Sequence, residues 1–160
     1  MKNWIIGILI VVLFCFGWGT WNLYSGNRNV QEQAADRAIT KAKSHYQISR
    51  IDTVTYYHGT NAYQVVEGER NGVKMYLWIP DQKKKAPYIA RSAKQGISKT
   101  KAMQIFNRLH LDVKQVVSIR LGAINKQPTW QITFLSPNHT YNYISLSFDT
   151  GKEVQRILNI

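Results

Sequence analysis

Residues 71–79 read Asn-Gly-Val-Lys-Met-Tyr-Leu-Trp-Ile. Asn71 and Gly72 form a dipeptide that is typical of two-residue β-hairpin turns, because both residue types tolerate positive φ. From Val73 to Ile79, every second side chain is aliphatic or Met, while the positions between them hold Lys, Tyr and Trp. Successive side chains of a strand point to opposite faces, so this alternation predicts a strand with one aliphatic and one largely aromatic face.

Period-two alternation on both sides of this strand extends it into a sheet. It predicts four antiparallel strands separated by short turns: Ile51–His58, Ala62–Glu69, Val73–Ile79 and Tyr88–Arg91. Before them, apolar residues from Val30 to Tyr46 recur at helical spacing, with charged residues between them. This pattern predicts an amphipathic helix that covers one face of the sheet.

The same order of elements recurs in the second half of the chain. A predicted helix follows Ser98, whose hydroxyl suits the N-cap position. Its apolar face comprises Ala102, Ile105, Phe106 and Leu109. Alternation then predicts four more strands, with Asn125–Pro128 as the first turn between them: Val116–Leu121, Thr129–Leu135, Tyr141–Phe148 and Val154–Leu158.

Short residue matches indicate that the two halves are repeats. Thr40-Lys41-Ala42 is echoed by Thr100-Lys101-Ala102, and Tyr63-Gln64-Val65 by Trp130-Gln131-Ile132. The predicted fold class is therefore α+β, with two tandem units at 29–92 and 93–160, each a helix packed on an antiparallel sheet of about four strands. A unit of about 60 residues is only marginally stable alone. We therefore expect the two units to pack on each other.

The N-terminal segment 4–24 is largely apolar and contains no charged side chain. At about 1.5 Å per residue, a helix of this length extends about 30 Å, which is the thickness of the hydrocarbon core of a bilayer. Aromatic side chains, which prefer the membrane interface, lie at both of its ends: Trp4, Trp18, Trp21 and Tyr24. The sequence therefore predicts a transmembrane signal anchor at 4–24, with a short cytoplasmic tail at 1–3.

Two other signals compete with an anchor for this segment. A cleaved signal peptide has an apolar run of about 7–15 residues that ends in small residues, whereas this run is longer and Gly17–Trp21 offers no such cleavage site. A lipoprotein signal needs a small residue before its cysteine, but Phe14 precedes Cys15. Both alternatives are therefore disfavoured.

The charged residues on the two sides of the anchor do not determine its orientation. Lys2 precedes the segment and four cations follow it closely, and this count alone favours a cytoplasmic C-terminus. In contrast, a minimal tail followed by a signal-like helix and a folded domain is how exported, anchored proteins are commonly built. The only cysteine, Cys15, lies in the anchor, so the folded part contains no disulfide.

The part of the chain after the anchor is strongly basic. It contains 20 basic and 9 acidic residues, which indicates anionic lipid, an anionic wall polymer or an acidic protein face as a neighbour. The run Lys83-Lys84-Lys85 is the candidate anionic contact, and a solvated turn is the alternative interpretation of this run.

The motifs of catalysis and cofactor binding are missing from the sequence. It contains no Gly-x-Ser-x-Gly elbow, no phosphate-binding glycine loop and no paired histidine motif for a metal. We therefore expect a protein that is not an enzyme and has no cofactor. Basic residues interleaved with aromatics also occur in nucleic-acid-binding surfaces, but here the aromatics alternate as a second strand face should, so no nucleic-acid partner is expected.

With these elements in place, the sequence resembles the YpmB or TseB-like family of Gram-positive bacteria. The segments that carry the resemblance extend over nearly all of the chain after the anchor: Tyr63-Gln-Val-Val-Glu-Gly, Met75-Tyr-Leu-Trp-Ile-Pro-Asp81, Ala93-Lys-Gln-Gly-Ile-Ser98, Trp130-Gln-Ile-Thr and Phe148-Asp-Thr-Gly-Lys152. The resemblance implies two tandem cystatin-like or PepSY-like domains outside the cytoplasmic membrane, which agrees with the exported orientation.

The resemblance also implies a function. It implies a membrane-anchored, extracytoplasmic accessory protein that regulates cell-wall elongation by binding a class B penicillin-binding protein, with no catalytic residues to carry over. An alternative within the wider PepSY superfamily is an inhibitor or modulator of a membrane-surface protease. A third hypothesis, based only on the basic charge, is a module that binds an anionic wall polymer.

Overall fold

Two antiparallel sheets of four strands each follow a helix in the computed structural model, which describes Cys15, Trp18 and residues 31–81 and 86–159. The first sheet contains, in spatial order, β1 (Arg50–His58), β2 (Ala62–Arg70), β3 (Val73–Pro80) and β4 (Ile89–Ser92). The second contains β5 (Gln115–Ile124), β6 (Gln127–Leu135), β7 (Tyr141–Ser147) and β8 (Glu153–Ile157). Helical residues 31–46 (α1) precede the first sheet, while a 3₁₀ turn (Ala93–Gln95) and helix α2 (Lys99–Asn107) precede the second. The predicted α+β class and the order of elements in each half are confirmed.

One face of the first sheet packs against α1. Ala38 and Ala42 are almost completely buried on the helix, and they share one apolar cluster with Val66 and Leu77 of the sheet. Their methyl groups let the helix backbone approach the strands closely, as expected for the apolar stripe of an amphipathic helix. The carbonyl of Ala42 also accepts a 3.2 Å hydrogen bond from the backbone N–H of Ile48, which closes the turn after the helix.

The other face of the first sheet packs against the second sheet. The indole Nε1 of Trp78 donates a 2.8 Å hydrogen bond to the backbone oxygen of Gly122 in β5. The rings of Tyr76 and Trp78 meet the ring of Phe148 nearly at right angles, with centroids 5.6 and 5.8 Å apart, a favoured geometry for aromatic pairs. The largely aromatic face of β3 is therefore the interface between the sheets, and the two halves share one core.

Helix α2 covers only part of the second sheet, because it has nine residues. Ser98 caps it as predicted, and the ring of Phe106 packs on Phe134 with centroids 5.2 Å apart. Further along β6, the ring of Trp130 meets Tyr76 of the first sheet at 6.5 Å. The first sheet therefore covers the part of this face that the short helix α2 does not reach.

The turn between β5 and β6 is shorter than the sequence predicts. Only Asn125 and Lys126 form it, both with positive φ (49° and 66°), as in the type I′ turns of two-residue hairpins. The prediction that the turn extends to Pro128 was wrong. Pro128 lies within β6, at a position where no backbone N–H donor is required. Its carbonyl accepts a 2.9 Å hydrogen bond from the backbone N–H of Phe148.

One of the two residue matches between the halves is out of phase. Ala42 and Ala102 are equivalent, since both are fully buried on their helices. In contrast, Val65 lies in the core shared with the second sheet, and it is Val66 that packs beneath α1. Ile132 lies on the face that holds Phe134 and α2, so its structural equivalent is Val66 rather than Val65. A shift of one residue moves every side chain of a strand to the opposite face. The predicted match between β2 and β6 was therefore wrong by one residue.

A partnerless hydroxyl in the core leads to a first testable prediction. Tyr63 is completely buried, and its hydroxyl has no hydrogen-bond partner among the described residues. We expect Tyr63→Phe to leave the free energy of unfolding at neutral pH within about 1 kcal/mol of wild type or to raise it, because no hydrogen bond is lost. Urea unfolding checks this, and a loss of about 2 kcal/mol or more would reveal a hidden partner for the hydroxyl.

The same substitution should also alter the response to alkali. Burial raises the pKa of Tyr57, Tyr63 and Tyr76 in the folded state. The unfolded chain therefore ionises first, so stability is full below about pH 10 and is lost as the pH rises through the raised values. We expect the melting temperature to fall above about pH 10, with a smaller fall for Tyr63→Phe, which removes one ionisable group.

Candidate interaction surfaces

The residues that the sequence predicts as membrane contacts lie mostly outside the described part of the chain. Trp4, Trp21 and Tyr24 are among them, while Trp18 is helical and 71% exposed. Across residues 31–81 and 86–159, together with Cys15 and Trp18, no helix is both long enough and apolar enough to cross a bilayer. The anchor at 4–24, the tail at 1–3 and the division at residues 92 and 93 stay predictions.

The predicted anionic contact and the histidines give no site that the structure defines. Lys83, Lys84 and Lys85 lie outside the described residues, so their role stays a prediction. The four histidines are exposed and lie on different elements: His45, His58, His110 and His139. Within the described ranges, no three His, Cys, Asp or Glu side chains converge into a group that could hold a metal ion.

An apolar surface lies at one end of the second sheet. From residue 31 onwards, three large hydrophobic side chains are exposed among those described, namely Val117 (44%), Tyr141 (47%) and Leu158 (43%). Val117 lies in β5 beside the pairing of Val116 with Phe134, Tyr141 begins β7, and Leu158 follows β8. All three therefore lie at the end of the sheet that is far from the β7–β8 turn, and we call this surface the apolar end.

A cleft of about 410 Å³ opens at the same end. The buried ring of Phe134 and the side chain of Leu111 form its apolar walls, while Asn138, Asn142 and Asn159 supply polar groups. Clefts of this size with apolar walls and a few polar groups are typical of ligand and peptide sites. Leu158 lines the cleft, so the cleft lies at the apolar end, while Val117 and Tyr141 are not among its lining residues.

A network of hydrogen bonds holds the walls of this cleft. The buried Asn142 donates through Nδ2 to the carbonyl of Thr140 at 2.8 Å and accepts at Oδ1 from the backbone N–H of Asn159 at 2.8 Å. The hydroxyls of Ser136 and Thr140 are 2.7 Å apart. Buried polar groups that are fully bonded specify one arrangement of the chain. The apolar end is therefore presented on an ordered support.

Sequence analysis did not identify the apolar end, although β5 contains a signal for it. Val116 and Val117 are adjacent, and this pair interrupts the alternation of the strand. The structure has a β-bulge there, because the register shifts between Val116 and Ser118. A bulge adds an unpaired residue and reorients its side chain, which explains how Val117 becomes exposed beside the partly buried Val116.

An ion pair joins the two sheets at their junction. The second half of the chain carries more basic than acidic residues. Arg91 of β4 bonds the carboxylate of Asp149 through Nε at 3.0 Å and Nη2 at 3.4 Å. From residue 93 to 159 the chain carries nine basic and three acidic residues. Glu153 is bound by Arg156, which lowers the pKa of this carboxyl group. Two of the three acids in this part are therefore already neutralised by a cation.

The sequence and the fold match those of known proteins. Residues 37–80, which contain the end of α1 and strands β1 to β3, match the family model described as the cell wall elongation regulator TseB-like domain. A solved structure of the YpmB protein from Bacillus subtilis is 30% identical in sequence to this chain, with a TM-score of 0.70, and the match covers 94% of that protein and 76% of this one. The chain belongs to the TseB-like family.

A match by sequence extends over the greater part of both chains. The probable cell wall elongation regulator TseB of Bacillus subtilis (strain 168) is 29% identical over 137 residues, which are 85% of this chain and 84% of the relative. The resemblance that the sequence segments indicate is therefore confirmed at the level of the family. Among the described surfaces, the apolar end is the best-defined candidate site.

Proposed function

We propose that this chain is a non-enzymatic accessory protein, held in the cytoplasmic membrane by segment 4–24, that regulates cell-wall elongation from the outer side of the membrane. Its partner is a class B penicillin-binding protein in the same membrane. The name of the B. subtilis relative, a probable cell wall elongation regulator, supports the general role. The observation that carries the proposed mechanism is the apolar end, because all three exposed large hydrophobic side chains described from residue 31 onwards lie at this end of the second sheet.

The apolar end has the properties of a protein-docking surface. Aromatic and aliphatic anchors surrounded by polar groups dominate the energetics of protein interfaces. Leu158 is such an anchor beside the polar groups of the cleft, and Tyr141 is exposed at the same end of the sheet. Anchoring both proteins in one membrane raises their effective concentration, so a small surface suffices for a lasting complex. The apolar end therefore recruits the partner, and the shared core keeps its shape fixed.

Crosslinking in intact cells tests this proposal directly. A photoreactive amino acid placed in turn at Val117, Tyr141 and Leu158 should trap a class B penicillin-binding protein. Matched positions for comparison are Lys43 and Arg70, which are equally exposed on α1 and on the β2–β3 turn. We expect strong adducts from the first three positions and none from the two controls.

Loss of the anchors should weaken the complex without unfolding the chain. We expect Tyr141→Ser combined with Leu158→Ser to reduce co-purification of the partner about tenfold or more, because truncating an interface anchor costs about 1 kcal/mol or more. The double variant Lys43→Ser and Arg70→Ser is the control. Equal adducts at all five positions, or capture of a membrane protease instead of a synthase, would contradict the proposed partner.

A further inference from the structure

Four exposed lysines come together where α2 begins. Lys94 lies in the 3₁₀ turn before the helix, Lys99 and Lys101 lie in its first turn, and Lys152 follows the β7–β8 turn. The β7–β8 turn is held against the start of the helix, since the backbone N–H of Ile97 donates to the carbonyl of Phe148 at 2.8 Å.

A second contact brings Lys152 to the same place. Gly151 packs so closely on the helix that a methyl group built on it would lie 2.8 Å from Cδ1 of Ile105 and 3.5 Å from Cγ2 of Ile97. Lys152 is the next residue along the chain. The four lysines therefore lie around the start of α2, and we call these residues the lysine cluster.

The lysine cluster has no carboxylate to balance it. None of its four side chains forms an ion pair with a described residue, and α2 has no acidic residue in its first turn. The two acids nearest in sequence to Lys152 already have partners, since Arg156 binds Glu153 and Arg91 binds Asp149. Cations placed together without counter-charges repel one another and raise the local positive potential. Such a surface is complementary to an anion that carries several charges.

The surroundings of the lysine cluster distinguish between anionic partners. Proteins that bind the surface of an anionic bilayer usually insert Trp, Phe or Leu side chains beside their cations. The exposed large hydrophobic side chains described from residue 31 onwards lie instead at the apolar end, at the opposite end of β7. Lysine ammonium groups are separate point charges on flexible stems, and they do not require the fixed bidentate geometry of an arginine fork. A flexible polymer with one phosphate in each repeat suits such separated charges, so both features favour it over a bilayer surface.

We propose that the lysine cluster binds a linear polymer that carries a phosphodiester group in each repeat. This inference rests on the proposed function only for placing the cluster outside the membrane, where such polymers occur in the wall. Each ammonium group neutralises one phosphate and releases a bound counterion, so the affinity falls as salt rises. The cluster and the apolar end lie at opposite ends of the second sheet, so polymer and protein partner bind without competition.

Binding of purified poly(glycerol phosphate) to the full chain in neutral-detergent micelles tests this proposal. The variant Lys94→Gln, Lys99→Gln, Lys101→Gln and Lys152→Gln should lower the slope of log affinity against log salt by about 0.7 for each lost contact, and so by about three in total. The matched control is Lys43→Gln, Arg70→Gln, Lys114→Gln and Arg120→Gln, which removes the same charge from four exposed positions on other elements. The control variant should bind like wild type.

Three outcomes would overturn the proposal. Equal losses in the two variants would mean that the net charge acts without a defined site. Tighter binding to phosphatidylglycerol vesicles would identify a membrane surface instead, and tighter binding to polyglutamate would identify an acidic protein face. Crosslinking from the apolar end is measured in the same cluster variant. Retained crosslinks with lost polymer binding separate this inference from the proposed function.

Discussion

Replacing Trp78 with alanine should lower the free energy of unfolding by about 3–5 kcal/mol, the range for removing a fully buried Trp. Trp78 has no exposed surface, and its ring packs against Phe148 from the second sheet. The substitution also leaves the carbonyl of Gly122 without the indole donor that it bonds at 2.8 Å. Since a typical domain is stable by about 5–15 kcal/mol, much of the folded population should be lost on mild heating.

Urea unfolding of Trp78→Ala beside Leu77→Ala measures this loss and locates it. Leu77 is equally buried and lies next to Trp78 in β3, but it faces α1. We expect both variants to unfold in one transition that near-ultraviolet circular dichroism and hydrogen exchange report equally in both sheets. If Trp78→Ala left the first sheet intact while the second melted alone, the two sheets would not share a cooperative core.

Adding one methyl group at Gly122 should be nearly as damaging. A methyl built on this residue would overlap the ring of Tyr57, which is 95% buried and therefore has little room to move. Overpacking of this kind typically costs about 1–3 kcal/mol, and a shift of β5 would also lengthen the hydrogen bond from Trp78. We expect Gly122→Ala to cost about 3 kcal/mol, at the upper end of that range.

A double substitution distinguishes the clash from other effects of alanine. Tyr57→Leu shortens the side chain that the new methyl group would strike, so the cost of Gly122→Ala should be smaller in the Tyr57→Leu background by about 1 kcal/mol or more. Chemical denaturation of the wild type, both single variants and the double variant completes the cycle. Additive costs would mean that the methyl group strains β5 itself rather than the tyrosine.

The two faces of β3 show how much of the fold the sequence reveals. Alternation from Val73 to Ile79 predicts both faces correctly, because an antiparallel strand places successive side chains on opposite sides. It does not reveal what covers the aromatic face, since Tyr76 and Trp78 could equally lie at a solvated surface. Their cover comes from Gly122 and Phe148, more than forty residues along the chain. Contacts of that kind depend on tertiary packing rather than on local periodicity.

The candidate site was harder to predict than the fold. Tyr141 and Leu158 belong to apolar alternations that look the same whether a side chain is buried or exposed. Tyr141 lies on the face of β7 opposite to the buried Asn142, and Leu158 lines the open cleft, so tertiary packing decides the exposure of each. The lysine cluster was likewise hidden, because Lys152 lies fifty residues beyond Lys101. Sequence analysis instead selected Lys83, Lys84 and Lys85, where consecutive lysines make a visible run.

The shared core also determines how a mechanical load passes through this protein. Rings from both sheets pack together at Phe148 and an ion pair joins Arg91 to Asp149, and these contacts oppose bending of the segment between β4 and α2. The two sheets therefore act as a strut of fixed length. Such a strut keeps the lysine cluster and the apolar end at a constant separation. The distance between a polymer bound at the cluster and a partner bound at the apolar end is then constant as well.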